Sequence, residues 1–302
     1  MGNTQVGWHA LIKTIPADRP VLIAGPTASG KSGLAMAIAD AQGGLILNAD
    51  ALQVFANWRI LTARPSPQDE ARHPHALYGH VPGNSPYSVG TWLREVAPLL
   101  DGPRPIIVGG TGLYFAALTE GLVDIPDIPA DIAQTAKLRA ETDLDALIGE
   151  IDAATSARID LQNPRRVQRA WEVLTTTGRG LAHWQDATSP PLLAPGAATA
   201  LCLEAPKDWL TPRIETRFDQ MLAAGLLDEA RANLPGWNAG AASSKAIGAA
   251  EVIDHLLGRL DCAQVRNNVV IQTRQYAKRQ RNWFRSRMKD WRWIDPEGAF
   301  GA

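Results

Sequence analysis

Eight residues near the N-terminus, Gly25-Pro26-Thr27-Ala28-Ser29-Gly30-Lys31-Ser32, carry the strongest chemical signal in the chain. They fit the pattern G-x-x-x-x-G-K-[ST], in which glycines let the backbone wrap an anion with its N–H groups turned inward. The N-terminus of the helix that follows adds positive potential, Lys31 reaches terminal phosphates, and Ser32 can hold Mg²⁺. Such a loop recognises a di- or triphosphate group and does not say which molecule carries it. A chance glycine-rich turn is the bland alternative. The context opposes it, because the apolar run Val21-Leu22-Ile23-Ala24 precedes the loop and a helical pattern follows.

Two more segments point to the same place. Asp50 stands three residues beyond the apolar run Leu45-Ile46-Leu47, and Gly109-Gly110-Thr111 follows Pro105-Ile106-Ile107-Val108. In open α/β sheets ligands bind beyond the carboxyl ends of the strands, which is where the loop, Asp50 and Thr111 would all lie. From position alone Asp50 serves equally well as a turn carboxylate, and Thr111 as a helix N-cap. The run at Ile106 ends in glycines rather than in an acid, so Asp50 is the main candidate carboxylate. One carboxylate beside the phosphates suits transfer of a group to an acceptor that must lose a proton, and suits a nucleotide-hydrolysing motor less.

Positioning these residues requires a particular set of elements. Leu34, Ala35, Ile38 and Ala39 recur at helical spacing over residues 32–41, which with the flanking strands makes a βαβ unit. A second helix restarts at Leu113. The fold class read from this alternation is α/β, a P-loop NTPase-like parallel sheet flanked by helices. After Gly121 the character changes. Ile125-Pro126-Asp127-Ile128-Pro129 is a stiff connector, residues 130–184 read as helical throughout, and Asn163 and Pro164 mark a helix start as N-cap and first residue. That helix should end at Thr177 before Gly178. Pro190-Pro191 and Pro195-Gly196 form a second connector, Ala200-Leu201-Cys202-Leu203 returns to the sheet, and residues 209–288 are mostly helical. The expected organisation is a catalytic core of residues 1–121 and 196–302, interrupted by an all-helical insertion of residues 122–195.

Among 302 residues there are 30 Lys and Arg against 31 Asp and Glu, a net charge of -1 that taken alone argues against a polyanionic partner. The distribution reverses that impression. Residues 264–293 hold nine basic residues and one acid, which leaves 21 basic against 30 acidic residues elsewhere. This asymmetry is the electrostatic footprint of a nucleic-acid partner. Within the tract, Tyr276, Trp283 and Phe284 interleave with Arg274, Lys278, Arg279, Arg281 and Arg285, a mixture able to neutralise phosphates and stack bases. The alternative is an amphipathic helix with its aromatics in the core, and both can hold at once. In the insertion, Arg165, Arg166 and Arg169 share one helix face, where a solvated surface beside Glu172 is the plainer reading. Two cysteines, Cys202 and Cys262, exclude a disulfide framework or a Cys-rich zinc site and read as buried small apolar residues. The N-terminal residues match neither a signal peptide nor a myristoylation signal, and no apolar run reaches membrane-spanning length, so a cytoplasmic location is expected.

The phosphate loop, Asp50-Ala51-Leu52-Gln53, Gly109-Gly110-Thr111-Gly112-Leu113-Tyr114 and Lys278-Arg279-Gln280 occur in one order that resembles the bacterial tRNA dimethylallyltransferase (tRNA isopentenyltransferase) family. Asn163-Pro164-Arg165-Arg166-Val167-Gln168-Arg169, Arg213-Ile214 with Arg217, Met221-Leu222 with Gly225, and Ala246-Ile247-Gly248 extend the resemblance over residues 21–293. It implies transfer of the dimethylallyl group of dimethylallyl diphosphate to N6 of the adenosine 3′-adjacent to the anticodon of tRNAs reading U-starting codons. The phosphate loop would hold the diphosphate with Mg²⁺. Asp50 would be general base, Arg217 and Lys31 would stabilise the leaving group, and Thr111 would lie near the flipped nucleotide. The anticodon stem-loop would be held by Asp50, Ala51, Leu52, Gln53, Thr111, Arg165, Arg166, Val167, Gln168, Arg169, Lys245, Lys278, Arg279, Gln280 and Arg285, with no membrane and no obligatory protein partner. The basic tract and the arginines of the insertion would form the two walls of a tRNA cleft. Three departures, Ala51 where Ser is common, Ala249-Ala250 where a Tyr is usual, and Ala133 where an Arg is frequent, bear on tRNA contacts and leave the phosphate ligands and the base in place.

Three other functions share part of the pattern. A small-molecule kinase would not need the basic tract, an adenylate isopentenyltransferase would have no use for the helical insertion, and an RNA-binding module with a vestigial loop would not keep Lys31, Ser32 and Asp50.

Overall fold

Four of the apolar runs become neighbouring strands because each is buried on both faces. In the computed structural model, which describes residues 8–194 and 196–297, β1 (Val21–Ala24), β2 (Leu45–Asn48), β3 (His75–Ala76), β4 (Pro105–Gly109), β5 (Thr199–Leu203) and β6 (Arg292–Ile294) form one sheet in the order β3-β2-β4-β1-β5-β6. Every pairing is parallel, with Val21 opposite Ile106 on one side of β1 and opposite Thr199 on the other. The N-terminal stretch read for targeting signals and Pro195 of the second connector lie outside the described residues.

The two-residue period of the strands sorts their side chains into two layers. Val21, Ile23, Ile46, Ile106, Val108 and Leu201 face the helix Lys31–Gln42 through Leu34, Ala35 and Ile38. Leu22, Leu47, Ile107 and Cys202 face the helices Val89–Val96 and Gly112–Glu120 through Trp92, Val96, Tyr114, Phe115 and Leu118. Phe284, near the end of the long helix Cys262–Arg287, joins the second layer and ties that helix to the sheet. The expected sheet is therefore present, flanked by helices on both faces. Strands β3 and β6 were not expected: β3 is two residues long, and β6 is embedded in a charged segment without an apolar run.

The chain folds as two units, one running to Thr119 and resuming at Leu193, the other comprising Glu120–Leu192. Within the second unit the stretch read as continuously helical is five helices, Ala130–Thr142, Leu144–Glu150, Ala153–Ser156, Pro164–Thr177 and Leu181–Asp186. They bury Ala136, Leu147, Val167, Ala170 and Trp171 in a core of their own. The helix at Pro164 starts as read: Asn163 accepts the Arg166 N–H, Pro164 is the first residue, and Gly178 closes the helix at φ 68°.

In the first unit the helices Lys207–Ala223, Leu226–Asn233, Ala249–Leu256 and Cys262–Arg287 pack through Phe218, Leu226, Val252, Ile253, Val265 and Val269, together with Trp58. Cys202 is buried in β5, where burial pushes its thiol up to about 12. Cys262 is exposed and corrects the expectation for it: it opens the long helix, with Sγ 3.4 Å from His255 Nε2.

Candidate active site at the carboxyl edge of the sheet

The phosphate loop leaves β1 and turns by placing two residues in the left-handed region, Ala28 at φ 63° and Gly30 at φ 88°. Alternation of right- and left-handed residues turns successive N–H groups to one side and makes a concave anion nest. Ala28 takes this conformation at a cost of about 1–3 kcal/mol, and surrounding contacts hold it there. Arg213 Nε donates to the Ala28 carbonyl at 3.2 Å, and the Thr27 N–H donates to Gln280 Oε1 at 2.9 Å. Lys31 Nζ folds over the loop to the Pro26 carbonyl at 3.3 Å. Burial lowers the Lys31 pKa to about 8; Asp50 opposes that shift and Arg217 adds to it. Burial also lowers the pKa of Arg217, with Asp50 again opposing.

Asp50 is a turn carboxylate that also lines the cleft described below. Its Oδ1 accepts the Leu52 N–H at 2.9 Å. Asn48, fully buried at the end of β2, clamps the Asp50 peptide. Its Oδ1 accepts the Asp50 N–H at 2.9 Å, while its Nδ2 donates to the carbonyls of Asp50 at 2.9 Å and Leu77 at 3.0 Å. Thr111 spends its hydroxyl on the neighbouring loop: Oγ1 accepts the Ala51 N–H at 2.9 Å, and the Thr111 N–H donates to the Ala49 carbonyl at 3.2 Å.

The glycines after β4 are required by close approach. A Cβ on Gly109 would lie 2.0 Å from the Ala49 carbonyl oxygen, one on Gly110 would lie 2.4 Å from Gln280 Nε2, and one on Gly112 would lie 2.2 Å from the Trp283 ring. The long helix thus rests directly on this turn.

Thr27, Lys31, Ser32, Asp50 and Arg217 line one end of a cleft with about 860 Å³ of empty volume. Its other wall is apolar, built from Leu52, Leu61, Ile214, Phe218, Met221, Ile247, Val269 and Val270, with Thr273 and Tyr276 beside them. Ile214, Arg217, Phe218 and Met221 are spaced three, one and three residues apart on one helix, so a single face presents a cation among apolar side chains. A second cleft, lined by Ala28, Arg213, Thr216 and Gln220 among others, shares Lys31, Ser32 and Arg217 with the first. The apolar wall was missed in the sequence. Its signal was present in Met221 and Ile247, which carry part of the family resemblance without suggesting a chemical role.

Sequence-derived contact residues divide by exposure. Arg165, Arg166, Arg169, Lys245, Lys278, Arg279 and Arg285 are exposed, and Ala51, Leu52 and Gln53 are half-buried at or beside the cleft. Gln53 Nε2 donates to the carbonyls of Thr62 and Ala63. Val167 is not available to a partner, because it is fully buried in the core of the second unit. Gln168 is bonded to the buried Glu172 at 2.7 Å, which also pairs with Arg169 at 3.6 Å. Gln280 is buried, with its amide oxygen on Thr27 N–H and its Nε2 on the Gly110 carbonyl at 2.9 Å. Both ends of its side chain are used inside the protein, so it is not a surface contact.

The basic tract is also partly used internally. Arg266 pairs with Asp219 at 2.7 Å, Arg285 with Glu204 at 3.1 Å, and Arg281 donates to the Ala205 carbonyl. Two stripes run along the long helix. Val269, Thr273, Tyr276 and Gln280 face the site, while Arg274, Lys278, Arg281 and Arg285 lie about 140° around the axis. The aromatic residues turn inward as the alternative reading held: Phe284 is buried, and Tyr276 lines the cleft.

A model of the IPP transferase family matches residues 53–287. The chain belongs to that family. IPP transferases are prenyltransferases, and the tRNA dimethylallyltransferase of Dinoroseobacter shibae is 61% identical over 291 residues, spanning 95% of this chain and 98% of that one. The tRNA dimethylallyltransferase of Paracoccus denitrificans is 57% identical over 294 residues, with 95% and 97% covered. Among solved structures, the full-length tRNA isopentenylpyrophosphate transferase of Bacillus halodurans matches with a TM-score of 0.65 at 29% identity, covering 92% of this chain and 90% of that one. A eukaryotic dimethylallyltransferase acting on tRNA matches with a TM-score of 0.77 at 24% identity, covering 92% and 73%, and shows a shared fold. The IPP transferase match begins at Gln53, so the phosphate loop and Asp50 are assigned from their own geometry. Among the described residues no helix is long and apolar enough to cross a membrane.

Proposed function

We propose that the protein transfers the dimethylallyl group of dimethylallyl diphosphate to N6 of the adenosine 3′-adjacent to the anticodon in tRNAs reading U-starting codons. The observation that carries this reading is the division of one cleft into an anion-binding end, with Lys31 and Arg217, and an apolar wall fit for a short branched hydrocarbon. A kinase site would need the first end and not the second.

The donor diphosphate sits on the nest of residues 25–32, and its prenyl chain lies against Phe218, Met221 and Val269. Asp50 takes a proton from the N6 amine as the bond from nitrogen to the allylic carbon forms and the bond from that carbon to the diphosphate oxygen breaks. The amine is a weak nucleophile because its lone pair is delocalised into the purine, so a base at this point lowers the barrier. Lys31 and Arg217 hold the charge that collects on the leaving diphosphate. Thr111 keeps the Asp50-Ala51 peptide in place through its bond to the Ala51 N–H. The target base leaves the anticodon stack to reach the cleft, as base-modifying enzymes require.

Ser32 and Asp50 line the same cleft, and among the described residues no group of three or more His, Cys, Asp or Glu could hold a metal by itself. The Ser32 hydroxyl would hold a Mg²⁺ beside the diphosphate, which leaves the Asp50 carboxylate free to act as base. When bound, the ion neutralises charge on the leaving group. Lys278, Arg279, Arg285, Lys245 and the arginines of the insertion supply positive charge toward the tRNA backbone, and Ala51, Leu52 and Gln53, half-buried at or beside the cleft, meet the anticodon loop.

Incubation of the purified protein with labelled dimethylallyl diphosphate, Mg²⁺ and unmodified tRNA tests this reading. Label in the adenosine 3′ of the anticodon is expected. Label in ATP or AMP instead would overturn it in favour of a free-nucleotide acceptor.

A further inference from the structure

Gln280 is the point at which the two halves of the site are joined. Its Oε1 accepts the Thr27 N–H of the phosphate loop, and its Nε2 donates to the Gly110 carbonyl, each at 2.9 Å. The next residue, Thr111, accepts the Ala51 N–H at 2.9 Å, and Ala51 follows Asp50. Three hydrogen bonds and two peptide links therefore connect the proposed diphosphate cradle through Gln280, Gly110-Thr111 and Ala51 to the proposed base. The side chain is buried, and both its amide oxygen and its amide nitrogen are engaged by backbone groups.

We propose that Gln280 is a positioning residue that sets the distance between the donor diphosphate and the base at Asp50. The proposal rests on the function given above and deepens it by naming what fixes the geometry. An amide is the side chain suited to the task, since it carries an acceptor and a donor at one end and no charge. Displacement of reacting groups by about 1 Å can cost ~10²-fold in rate, so loss of this bridge is expected to act on the chemical step rather than on binding.

The test uses Gln280→Leu and Gln280→Glu in the full chain, with thermal unfolding monitored in parallel. Gln280→Leu is expected to lower the single-turnover rate by ~10–100-fold, with the donor KM and tRNA affinity held within about threefold. In Gln280→Glu the protonated carboxyl has the donor and acceptor of the amide, while the carboxylate opposes the Gly110 carbonyl with a second oxygen. Burial raises the pKa of such a carboxyl. The ratio of variant to native rate should therefore rise as pH falls, a signature that a merely structural role would not produce. A Gln280→Leu protein with the native rate, or one whose only change is weaker tRNA binding, would overturn the proposal. If Gln280→Leu does not fold, the Gln280→Glu ratio decides, and a ratio independent of pH overturns the proposal. Asp50→Asn measured alongside separates the two readings: full activity in that variant removes Asp50 as the base and this proposal with it, whereas a slowed Asp50→Asn beside a Gln280→Leu of native rate overturns the proposal alone.

Discussion

Asn48→Ala removes a buried side chain whose hydrogen bonds serve Asp50 and Leu77. Three bonds of 2.9, 2.9 and 3.0 Å are lost. At about 0.5–1.5 kcal/mol each, with no water to replace them at a fully buried position, the cost is about 2–4 kcal/mol. In a unit of this size that corresponds to a fall in Tm of roughly 5–15 °C. Two of the three bonds hold the Asp50 peptide, so the carboxylate loses its fixed position while keeping its charge. The expected result is a ~10–100-fold lower single-turnover rate at a temperature where the variant is fully folded, with tRNA binding retained. Asn48→Asp keeps the acceptor for the Asp50 N–H, loses both donations and adds a buried negative charge, so it should lose at least as much. Rates measured with enzyme in excess over labelled donor, beside calorimetry, give both quantities. A lowered Tm with an unchanged rate would show that Asn48 serves the fold and not the base, and an unchanged Tm would refute the hydrogen-bond accounting itself.

Asp50→Ala should slow transfer by ~10²–10⁴-fold with tRNA still bound, and an unchanged single-turnover rate would remove Asp50 from its role. Lys31 is cationic below its lowered value of about 8 and neutral above it, so kcat/KM for the donor should decline as pH rises through that value. Lys31→Arg should carry the plateau further up, and a native profile level to the ordinary lysine pKa would contradict the assignment. The same shift means that the unfolded chain binds more protons than the folded one between about 8 and 10.5, so this group's contribution to stability improves with pH in that window. Gly109→Ala should cost about 1–3 kcal/mol or more in urea unfolding, because its Cβ would meet the Ala49 carbonyl, and native stability in that variant would contradict the packing. Affinity for tRNA should fall steeply with salt, and a flat titration would exclude phosphate contacts by the basic tract.

The sequence was most informative where one residue type has few uses. The phosphate loop, the four long strands and the cap at Asn163 follow from local chemistry, and the structure places them at or within one or two residues of the expected bounds. Gln280 shows the opposite case. Lying between Arg279 and Arg281, it reads as part of a basic surface, and only the turn of the helix carries it inward to Thr27 and Gly110. Val167 is similar, one apolar residue inside an arginine-rich motif. Asn48 ends a strand and gives no sign that it serves the residue two positions on. The apolar wall was hidden because it is shared among the loop that carries Leu61 and three helices, none of which holds enough of it to read as a site. β6 was hidden because its pairing with β5 depends on the edge already formed.

The order of the sheet also says how the protein can be made. Every strand on the β4 side of β1 precedes the second unit in the chain, and both strands on the β5 side follow it. As the chain emerges, β1 to β4 can pair into four of the six strands, the residues between can fold on their own core, and β5 and β6 then extend the sheet across the open edge of β1. Asp50, Lys31 and Thr111 are all in place early, but Gln280 and all of the apolar wall except Leu52 and Leu61 come with the last third of the chain. A nascent or truncated protein thus carries a phosphate loop without a closed site for the allyl group, and competence for transfer arrives only when synthesis is nearly done.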